Sequence, residues 1–536
     1  MRRWNGWGDE AVNADLAPAA ADLLMTLVGP GVAAPDATLA DVVRTLPPSR
    51  LAPGAGLTTD AETRLRHARG QSLPDWIALR SGRLGPVPDA VASPTSEADV
   101  RDLLDRARGR GWELIPYGGG TSVVGGVTVT TTDRPVVSVD LTGLSGLHAL
   151  DEESGLATFG AGTPGPVIES ALAANGRTLG HFPQSFEFST LGGWIATRSA
   201  GQESIGYGRI EQLFAGGHLE TPSGPVHLPP FPASAAGPDL RELVLGSEGR
   251  AGIITEAVVR TTARSRRDQV RAYSVPDWSH ALGLAHALAT AGLDLSMIRA
   301  STPLETASTL AMAGDARSVA WLRRYLRWRR QAPEPCLVLV GIHGPDGVVT
   351  ATEGEVVRHV RAARGVGVPG VAAAWRRERF AAPYLRNTLW DAGYAVDTVE
   401  TAVDWSALPT LAAALGPALR HGLDEVGERV HAFSHLSHVY PSGSSLYATY
   451  VFRRSTDPDE TLEHWRRLKG AASETIAAHG GTISHQHGIG ADHRPYLAAE
   501  KGPLGMAALR AAIERFDPDG IMHRGVLFAN DRVADR

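Results

Sequence analysis

The chain of 536 residues contains 43% hydrophobic and 21% charged residues, a composition typical of a globular protein with more than one domain. Its formal net charge of -6, from 52 basic and 58 acidic side chains, is too small to favour a nucleic-acid partner. The single cysteine, Cys336, excludes an intramolecular disulfide, a thiolate zinc site and an iron–sulfur cluster.

The N-terminal sequence MRRWNGWGDEA lacks the apolar run of a secretory signal, and we find no stretch of 18 or more apolar residues. We therefore expect a cytoplasmic protein. Residues 1–80 alternate Ala/Leu-rich stretches with Pro and Gly breaks, which predicts an N-terminal helical extension.

An α+β domain is predicted at residues 81–267. It begins with a β-α-β unit whose helix starts near Ser96 and whose second strand, 113–116, runs into a glycine-rich loop. Helical spacing alternating with strands predicts a second domain at 268–430 that covers the substrate. Residues 431–536 contain short strands and a long helix, and we expect them to complete the active site.

The glycine-rich loop PYGGGTS at residues 116–122, followed by Gly125 and Gly126, has the composition of a phosphate-binding nest. It lacks the GxGxxG order of a Rossmann site and the GK[ST] ending of a P-loop. Taken alone, the loop is equally compatible with a tight surface turn.

Two further segments share this composition. HFPQSFEFSTLGGWIATRSAG, from His181, combines hydroxyl side chains with a Gly-Gly pair, and GSEGRAGIITEAVVR, from Gly246, places Gly249 and Gly252 before an apolar strand. Small donors and glycines suit a pyrophosphate, so three such loops indicate one shared ligand.

Together, the GGGTS, STLGG and GSEGRAGIIT segments resemble the FAD-binding domain of the vanillyl-alcohol-oxidase/PCMH flavoprotein superfamily. The resemblance implies an α+β, PCMH-type FAD-binding domain of two subdomains, with an α+β cap domain. It also implies noncovalent FAD, because residues 117–120 offer no His or Cys for a covalent link. The implied FAD-binding residues are Pro116, Tyr117, Gly118, Gly119, Gly120, Thr121, Ser122, Gln184, Ser185, Phe186, Glu187, Phe188, Ser189, Thr190, Thr197, Arg198, Ser199, Ala200, Glu248, Gly249, Arg250, Ala251, Gly252, Ile253 and Ile254.

Within the superfamily the chain most resembles the alkyldihydroxyacetonephosphate synthase family. The resemblance is carried by RRWNGWG at the N-terminus, by the segment from His181, and by the segments around Tyr447 and His485. It implies an ether-lipid transferase that exchanges the acyl group of acyl-dihydroxyacetone phosphate for a fatty alcohol without net oxidation. It leaves a homodimer open.

The segment HAFSHLSHVYPSGSSLYATYVF predicts two strands joined at residues 441–444. Strand alternation would place His435 and His438 on opposite faces, so they are not expected to form a paired metal site. D-2-hydroxyacid dehydrogenases of the superfamily bind a metal through HxGDGNxH and GEHGIG, and here Tyr447 and Gln486 replace two of those ligands. We therefore expect no metal, and an FAD-dependent D-lactate or D-2-hydroxyglutarate dehydrogenase is the alternative.

Tyr447 is the expected catalytic acid/base, since a phenol can donate and accept a proton at an alcohol. His485 and His487 are predicted to share one face of a strand and to help deprotonate Tyr447 or the substrate. The alternative is that both imidazoles only hydrogen-bond the flavin edge. Gln486, which stands between them, cannot exchange protons.

The resemblance also assigns Arg299 to catalysis and Arg386 to substrate binding, where a guanidinium suits a carboxylate or a phosphate. Without the resemblance, surface salt bridges would account for both arginines. Gln184 stands where the synthases carry an acidic residue.

WLRRYLRWRR, residues 321–330, places Trp321, Tyr325 and Trp328 on one helical stripe flanked by arginines. This pattern predicts a helix on an anionic membrane surface, with aromatic packing on the core as the alternative. A non-catalytic flavin- or lipid-binding protein is the remaining alternative; a phenol and two imidazoles beside the flavin argue against it.

Overall fold

The computed structural model describes residues 1–130, 133–312 and 316–528. The end of the predicted segment 431–536, residues 529–536, lies outside the described residues.

The described α-helices are α1 Pro18–Leu27, α2 Leu39–Thr45, α3 Ala61–Arg66, α4 Leu73–Ser81, α5 Glu97–Arg110, α6 Gly165–Ala173, α7 Leu191–Thr197, α8 Ser204–Tyr207, α9 Ile210–Leu213, α10 Arg241–Val244, α11 Trp278–Thr290, α12 Pro303–Met312, α13 Ala316–Trp328, α14 Asp346–Ala362, α15 Val371–Glu378, α16 Leu385–Asp391, α17 Leu408–Arg420, α18 Pro458–Ala478 and α19 Leu497–Phe516. The described strands are β1 Leu57–Thr58, β2 Ala90–Ala92, β3 Glu113–Tyr117, β4 Val136–Asp140, β5 Leu147–Asp151, β6 Leu156–Gly160, β7 Arg177–Thr178, β8 Phe214–Thr221, β9 Gly224–Leu228, β10 Ile253–Arg260, β11 Thr262–Ala263, β12 Arg267–Val275, β13 Leu295–Ser301, β14 Cys336–Gly344, β15 Val366–Gly367, β16 Tyr394–Asp404, β17 Val430–Leu436 and β18 Gly443–Arg453.

The predicted β-α-β unit is present in a small sheet of order β1-β2-β4-β3, in which β4 runs parallel to both β2 and β3. Helix α5 starts where the sequence predicts, because the Ser96 hydroxyl accepts from the Asp99 amide and the Asp99 carboxylate accepts from the Ser96 amide. The buried residues of this helix, including Leu103 and Leu104, pack on the small sheet.

A second, antiparallel sheet has the order β5-β6-β10-β8-β9. Helices α6 and α7 pack against it around Phe159 and Trp194. Strand β3 of the first sheet is followed by the first glycine-rich loop, and β10 of the second sheet is preceded by the third. Ile253, the first residue of β10, packs in the core of the first sheet.

The largest sheet is antiparallel, with the order β15-β12-β14-β13-β17-β18-β16. One face is covered by α11, α14, α17 and α18, which form the main hydrophobic core. On the other face, α13 packs through Leu322 and Leu326, and α1 packs through Leu24 and Val28. Between these helices, the same face carries polar side chains, including Tyr447. The observed mixture of helices and sheets confirms the predicted α+β class.

In the described part of the chain, the helices are too short or too polar to span a bilayer.

Candidate active site

A row of three polar side chains crosses the large sheet. Tyr447 on β18 pairs in register with His435 on β17 and with Glu400 on β16. Because paired residues on neighbouring strands point to the same face, the three side chains lie side by side. The Tyr447 phenol stacks on the His435 imidazole, with ring centroids 5.0 Å apart.

Tyr447 is expected to be a neutral phenol in this position. Burial raises the pKa of Tyr447 well above the usual value of a phenol. At neutral pH the hydroxyl therefore carries its proton, so its first action toward a ligand is to donate a hydrogen bond or a proton.

The prediction that His485 and His487 share one face of a strand is wrong. Residues 480–490 form turns and bends rather than a strand, so side-chain alternation does not apply. His487 meets the Tyr447 ring edge-on, with centroids 5.7 Å apart. His485 does not hydrogen-bond to Tyr447; its Nε2 atom lies 2.7 Å from the hydroxyl of Tyr440.

Glu400 is the residue that the sequence interpretation missed. It is 1% exposed, and its Oε1 lies 3.4 Å from Nδ1 of His438 and 3.3 Å from Nδ1 of His485. Burial alone would raise the pKa of Glu400, but His485 and His438 outweigh it and hold that pKa well below the usual value. The available signal was the presence of two acidic residues, Asp397 and Glu400, in the interior of the strand YAVDTVETAVD.

The expected opposition of His435 and His438 needs a correction, since β17 ends at Leu436 and His438 lies beyond it. The two imidazoles nevertheless have different partners. His438 donates from Nε2 to the Gly201 carbonyl, 3.1 Å away, and faces Glu400 through Nδ1. His435 instead faces Glu305, whose Oε1 lies 3.0 Å from Nδ1.

Glu400, His438 and His485 bring potential metal-ligand atoms within 4.8 Å of one another. The hydrogen-bond directions oppose a metal at this point. Nη1 of Arg209 lies 2.7 Å from Nε2 of His485, and an arginine can only donate. Nε2 is therefore the unprotonated nitrogen, so Nδ1, which faces Glu400, carries the proton and has no lone pair for a cation.

Arg299 on β13 is paired within the protein. Its Nη2 lies 2.7 Å from Oε1 of Glu305, a buried carboxylate that also contacts His435. Burial would raise the pKa of Glu305, but His435 and Arg299 bring it down to about 2. The positive charge of Arg299 is thus largely balanced before any ligand binds.

Arg386 differs from Arg299 because part of its guanidinium is unused. Nη1 donates to the Gln71 carbonyl at 2.6 Å, and the group lies over the Trp76 ring at 4.4 Å. Nη2 is buried and has no hydrogen-bond partner among the described residues. A buried donor without a partner is costly, which indicates that an anionic ligand completes this site.

The three glycine-rich loops meet, as one shared ligand requires. A Cβ atom at Gly119 would overlap the carbonyl oxygen of Phe188, and one at Gly249 would lie 3.0 Å from Pro116. The Glu248 amide donates to the Ala196 carbonyl at 2.9 Å. The glycines therefore allow the loops to approach one another. From the sequence we had expected them only to allow a ligand to approach the backbone.

Several side chains in these loops already bind protein groups and hold the loops in place. Ser189 accepts from the Trp194 indole at 2.7 Å, Arg198 contacts Glu242 at 2.8 Å, and Arg250 donates to the Met522 carbonyl at 2.9 Å. The Tyr117 hydroxyl turns away to the Arg66 carbonyl. Gln184 is exposed on the second loop. Backbone groups and glycines, rather than these side chains, are left for a ligand.

The N-terminal segment RRWNGWG forms part of the same wall. Trp7 packs edge-on against Phe188 with ring centroids 5.6 Å apart, and the Arg2 guanidinium lies 5.3 Å from the same ring. Arg2 also donates to the Gly119 carbonyl.

His181, at the start of the second loop, is fully buried. Its Nε2 lies 3.2 Å from the Ser199 hydroxyl, and its ring contacts Trp194. Burial lowers the pKa of His181 to about 3, so the imidazole is neutral.

The aromatic stripe of α13 is mostly turned to solvent. Trp321 is 55% exposed and Trp328 is 74% exposed, whereas Leu322 and Leu326 face the core. Tyr325 lies between the two tryptophans and donates to the Gly367 carbonyl at 3.0 Å. Core packing therefore does not account for the two tryptophans.

Known proteins resemble the chain over nearly its whole length. Residues 88–228 match the FAD binding domain family, and residues 264–527 match the FAD linked oxidases, C-terminal domain. An alkyldihydroxyacetonephosphate synthase from Dictyostelium discoideum is 32% identical over 476 residues, which cover 87% of this chain and 77% of the relative.

A solved alkyldihydroxyacetonephosphate synthase structure superposes with a TM-score of 0.83 at 28% identity, covering 97% of this chain and 98% of that one. A D-2-hydroxyglutarate dehydrogenase from Stutzerimonas stutzeri is more distant, at 25% identity over 92% of this chain and 99% of the relative.

Proposed function

This chain belongs to the alkyldihydroxyacetonephosphate synthase family, and from that premise we propose that it replaces the acyl group of acyl-dihydroxyacetone phosphate with a fatty alcohol, forming an ether-lipid precursor. It is a flavin-dependent enzyme whose cofactor is FAD, with a PCMH-type FAD-binding domain and an FAD-oxidase C-terminal domain. The observation that carries the proposal is the position of Tyr447 beside His435, His487 and Glu400.

The loops fit FAD. Glycines bring the three loops into contact and leave backbone groups for the pyrophosphate, as argued from Gly119 and Gly249. Bound FAD would supply the reactive ring at which the acyl and alkyl groups are exchanged. We propose that it is held noncovalently by residues 116–122, 184–190, 197–200 and 248–254.

We propose that Arg386 binds the substrate phosphate, because its buried Nη2 has no partner among the described residues. Arg299 is proposed to assist at the reacting end, where its charge is shared with Glu305. Tyr447 would donate its proton to the departing carboxyl group, and the imidazole of His487, whose pKa is lowered by burial, meets its ring edge-on.

The hydroxyacid dehydrogenase is the weaker candidate. Tyr447 and Gln486 stand where that class has metal ligands, and the proton on His485 Nδ1 opposes a metal at Glu400. The non-catalytic alternative is also disfavoured, since a buried phenol, two imidazoles and a carboxylate lie together on one face of the large sheet.

We further propose that α13 lies on an anionic membrane surface, supported by the exposed Trp321 and Trp328 among arginines. A lipid substrate would then reach the enzyme from that surface.

The domain boundaries 1–80, 81–267, 268–430 and 431–536 stay predictions. The homodimer also stays a prediction, which light scattering would test.

The function is tested with purified FAD-loaded protein, an acyl-dihydroxyacetone phosphate and a labelled fatty alcohol. We expect label in an ether product with release of one fatty acid. Bleaching of the flavin by D-lactate or D-2-hydroxyglutarate, without labelled ether, would support the dehydrogenase instead.

A further inference from the structure

A pair of partly exposed histidines lies on the second sheet, whereas the Tyr447 row lies on the large sheet. His218 on β8 and His227 on β9 pair in register, so their side chains stand on the same face. Nε2 of His218 lies 2.9 Å from Nδ1 of His227, and the ring centroids are 4.7 Å apart. The two nitrogen atoms therefore face each other directly.

A carboxylate fixes the orientation of His218 from the other side. Oε1 of Glu97, the first residue of α5, lies 3.4 Å from Nδ1 of His218. An ionised carboxylate only accepts, so Nδ1 carries the proton and Nε2 of His218 keeps its lone pair. His227 then donates from Nδ1 to that lone pair. Histidines that bind metals show the same arrangement, in which the second ring nitrogen donates to a carboxylate.

A second carboxylate stands beside the pair. Glu256 on β10 pairs in register with His218, which places its side chain on the same face of the sheet. Oε2 of Glu256 accepts from Nδ1 of His148 at 2.9 Å. Arg101, one turn further along α5, is paired with Glu220, so its positive charge is balanced. Two carboxylates next to two imidazoles make this face attractive to a cation.

We propose that His218 and His227 bind a divalent transition-metal ion such as Zn²⁺, with Glu256 as the third protein ligand. In a tetrahedral zinc site two imidazole nitrogens are roughly 3.3 Å apart, so the observed 2.9 Å has to widen by only about 0.4 Å. His227 exchanges its Nδ1 proton for one on Nε2 through solvent, and its ring stays neutral. Both facing nitrogens then present lone pairs. Rotation of the Glu256 side chain brings its carboxylate to the ion, and a water takes the fourth position.

The ion would connect the two sheets of the FAD-binding domain. Helix α5 packs on the small sheet, whereas β8 and β9 belong to the second sheet. Glu97 reaches from α5 to His218, so Glu97, His218 and the ion form one connection between them. The site shares no residue with the proposed FAD-binding residues or the Tyr447 row, and the proposal is therefore independent of the proposed function.

Zinc binding is measured by calorimetry on the full-length, FAD-loaded protein after treatment with EDTA. We expect one Zn²⁺ per chain in wild type, loss of that binding in His227→Ala, and about 10-fold weaker binding in Glu97→Gln. His421→Ala is the matched control and should bind like wild type, since His421 is another exposed histidine beside a carboxylate, with Asp424 2.9 Å away. Equal binding by wild type and His227→Ala, or no binding by wild type, would overturn the site. Binding that is lost in His485→Gln instead would place the ion beside Glu400 and would also overturn it.

A second measurement needs no variant. Wild-type crystals are soaked in zinc chloride, and an anomalous difference map is calculated at the zinc edge. We expect the strongest peak between Nε2 of His218 and Nδ1 of His227. Peaks only at single exposed histidines such as His421 would mean adventitious zinc and would overturn the proposal. Turnover should not depend on this ion, so a protein that forms no ether product would contradict the proposed function and leave this result unchanged.

Discussion

The phenol ring of Tyr447 lies over the imidazole of His435, with the two ring planes inclined by 20°. The contact is made by the rings, so a phenylalanine preserves it. Tyr447→Phe should therefore fold and bind FAD but lose its proton donor, with kcat at least 100-fold lower. Turnover, flavin absorbance and Tm are measured together. Tyr273→Phe, another buried tyrosine of the large sheet, is the control and should remain active; a Tyr447→Phe enzyme with wild-type kcat would remove Tyr447 from the chemistry.

The flavin is expected to dissociate on acid or heat denaturation, at about one FAD per chain, because the first loop contains no His or Cys. Absorbance of the supernatant after precipitation measures the released FAD. Flavin that stays in the protein pellet would contradict this expectation. If that retained flavin is then released from the His181→Ala variant, the flavin is covalently linked to His181, which lies in the second loop.

Gly119→Ala should prevent flavin binding, because even one Cβ atom would overlap the Phe188 carbonyl and push two loops apart. Gly109→Ala is the matched control, since a Cβ there meets nothing within 4 Å. The flavin absorbance per chain after purification is the measurement. A fully yellow Gly119→Ala protein would contradict the contact between the first and second loops.

Turnover should be unchanged after dialysis against EDTA, because Nδ1 of His485 carries a proton and Gln486 replaces a carboxylate ligand. Metal content is checked in the same sample. Activity that is lost on dialysis and restored by zinc or manganese would contradict the assignment of the proton to Nδ1 of His485. It would favour the hydroxyacid dehydrogenase as the function.

Binding to anionic vesicles should depend on the exposed arginines of α13 and should weaken with salt, since the attraction acts over about one Debye length. Each basic side chain near such a surface contributes roughly 1 kcal/mol. The charge-reversal variant changes Arg323, Arg324, Arg327 and Arg330 to Glu. The control variant makes the same change at Arg358, Arg361, Arg466 and Arg467.

Vesicle cosedimentation distinguishes the two variants. The α13 variant should stay in the supernatant with its FAD intact, and the control should sediment like wild type. Equal binding by both variants, or no binding by wild type, would show that α13 is an ordinary solvent-facing helix.

Local features were predictable from the sequence and long-range partnerships were not. The start of α5 follows from Ser96 and Asp99, three residues apart, and the glycine-rich loops are visible as short motifs. The sequence does not show that Glu400, Arg209 and Tyr440 belong to the site. Strand register places Glu400 beside Tyr447, and a turn-rich segment brings His485 to Arg209 and Tyr440. Alternation failed for His438 and His485 because neither residue lies in a strand.

The contact between Glu248 and the segment after His487 determines when, during translation of the chain, the flavin pocket can be completed. The carboxylate of Glu248, in the third glycine-rich loop, is buried and accepts the amide of Gly490 at 2.7 Å. Until residue 490 has left the ribosome, this buried acid has no such partner and the pocket wall is incomplete. The cofactor should therefore be acquired after translation, by a chain that is nearly complete, and flavin shortage should leave full-length apoprotein rather than stalled fragments.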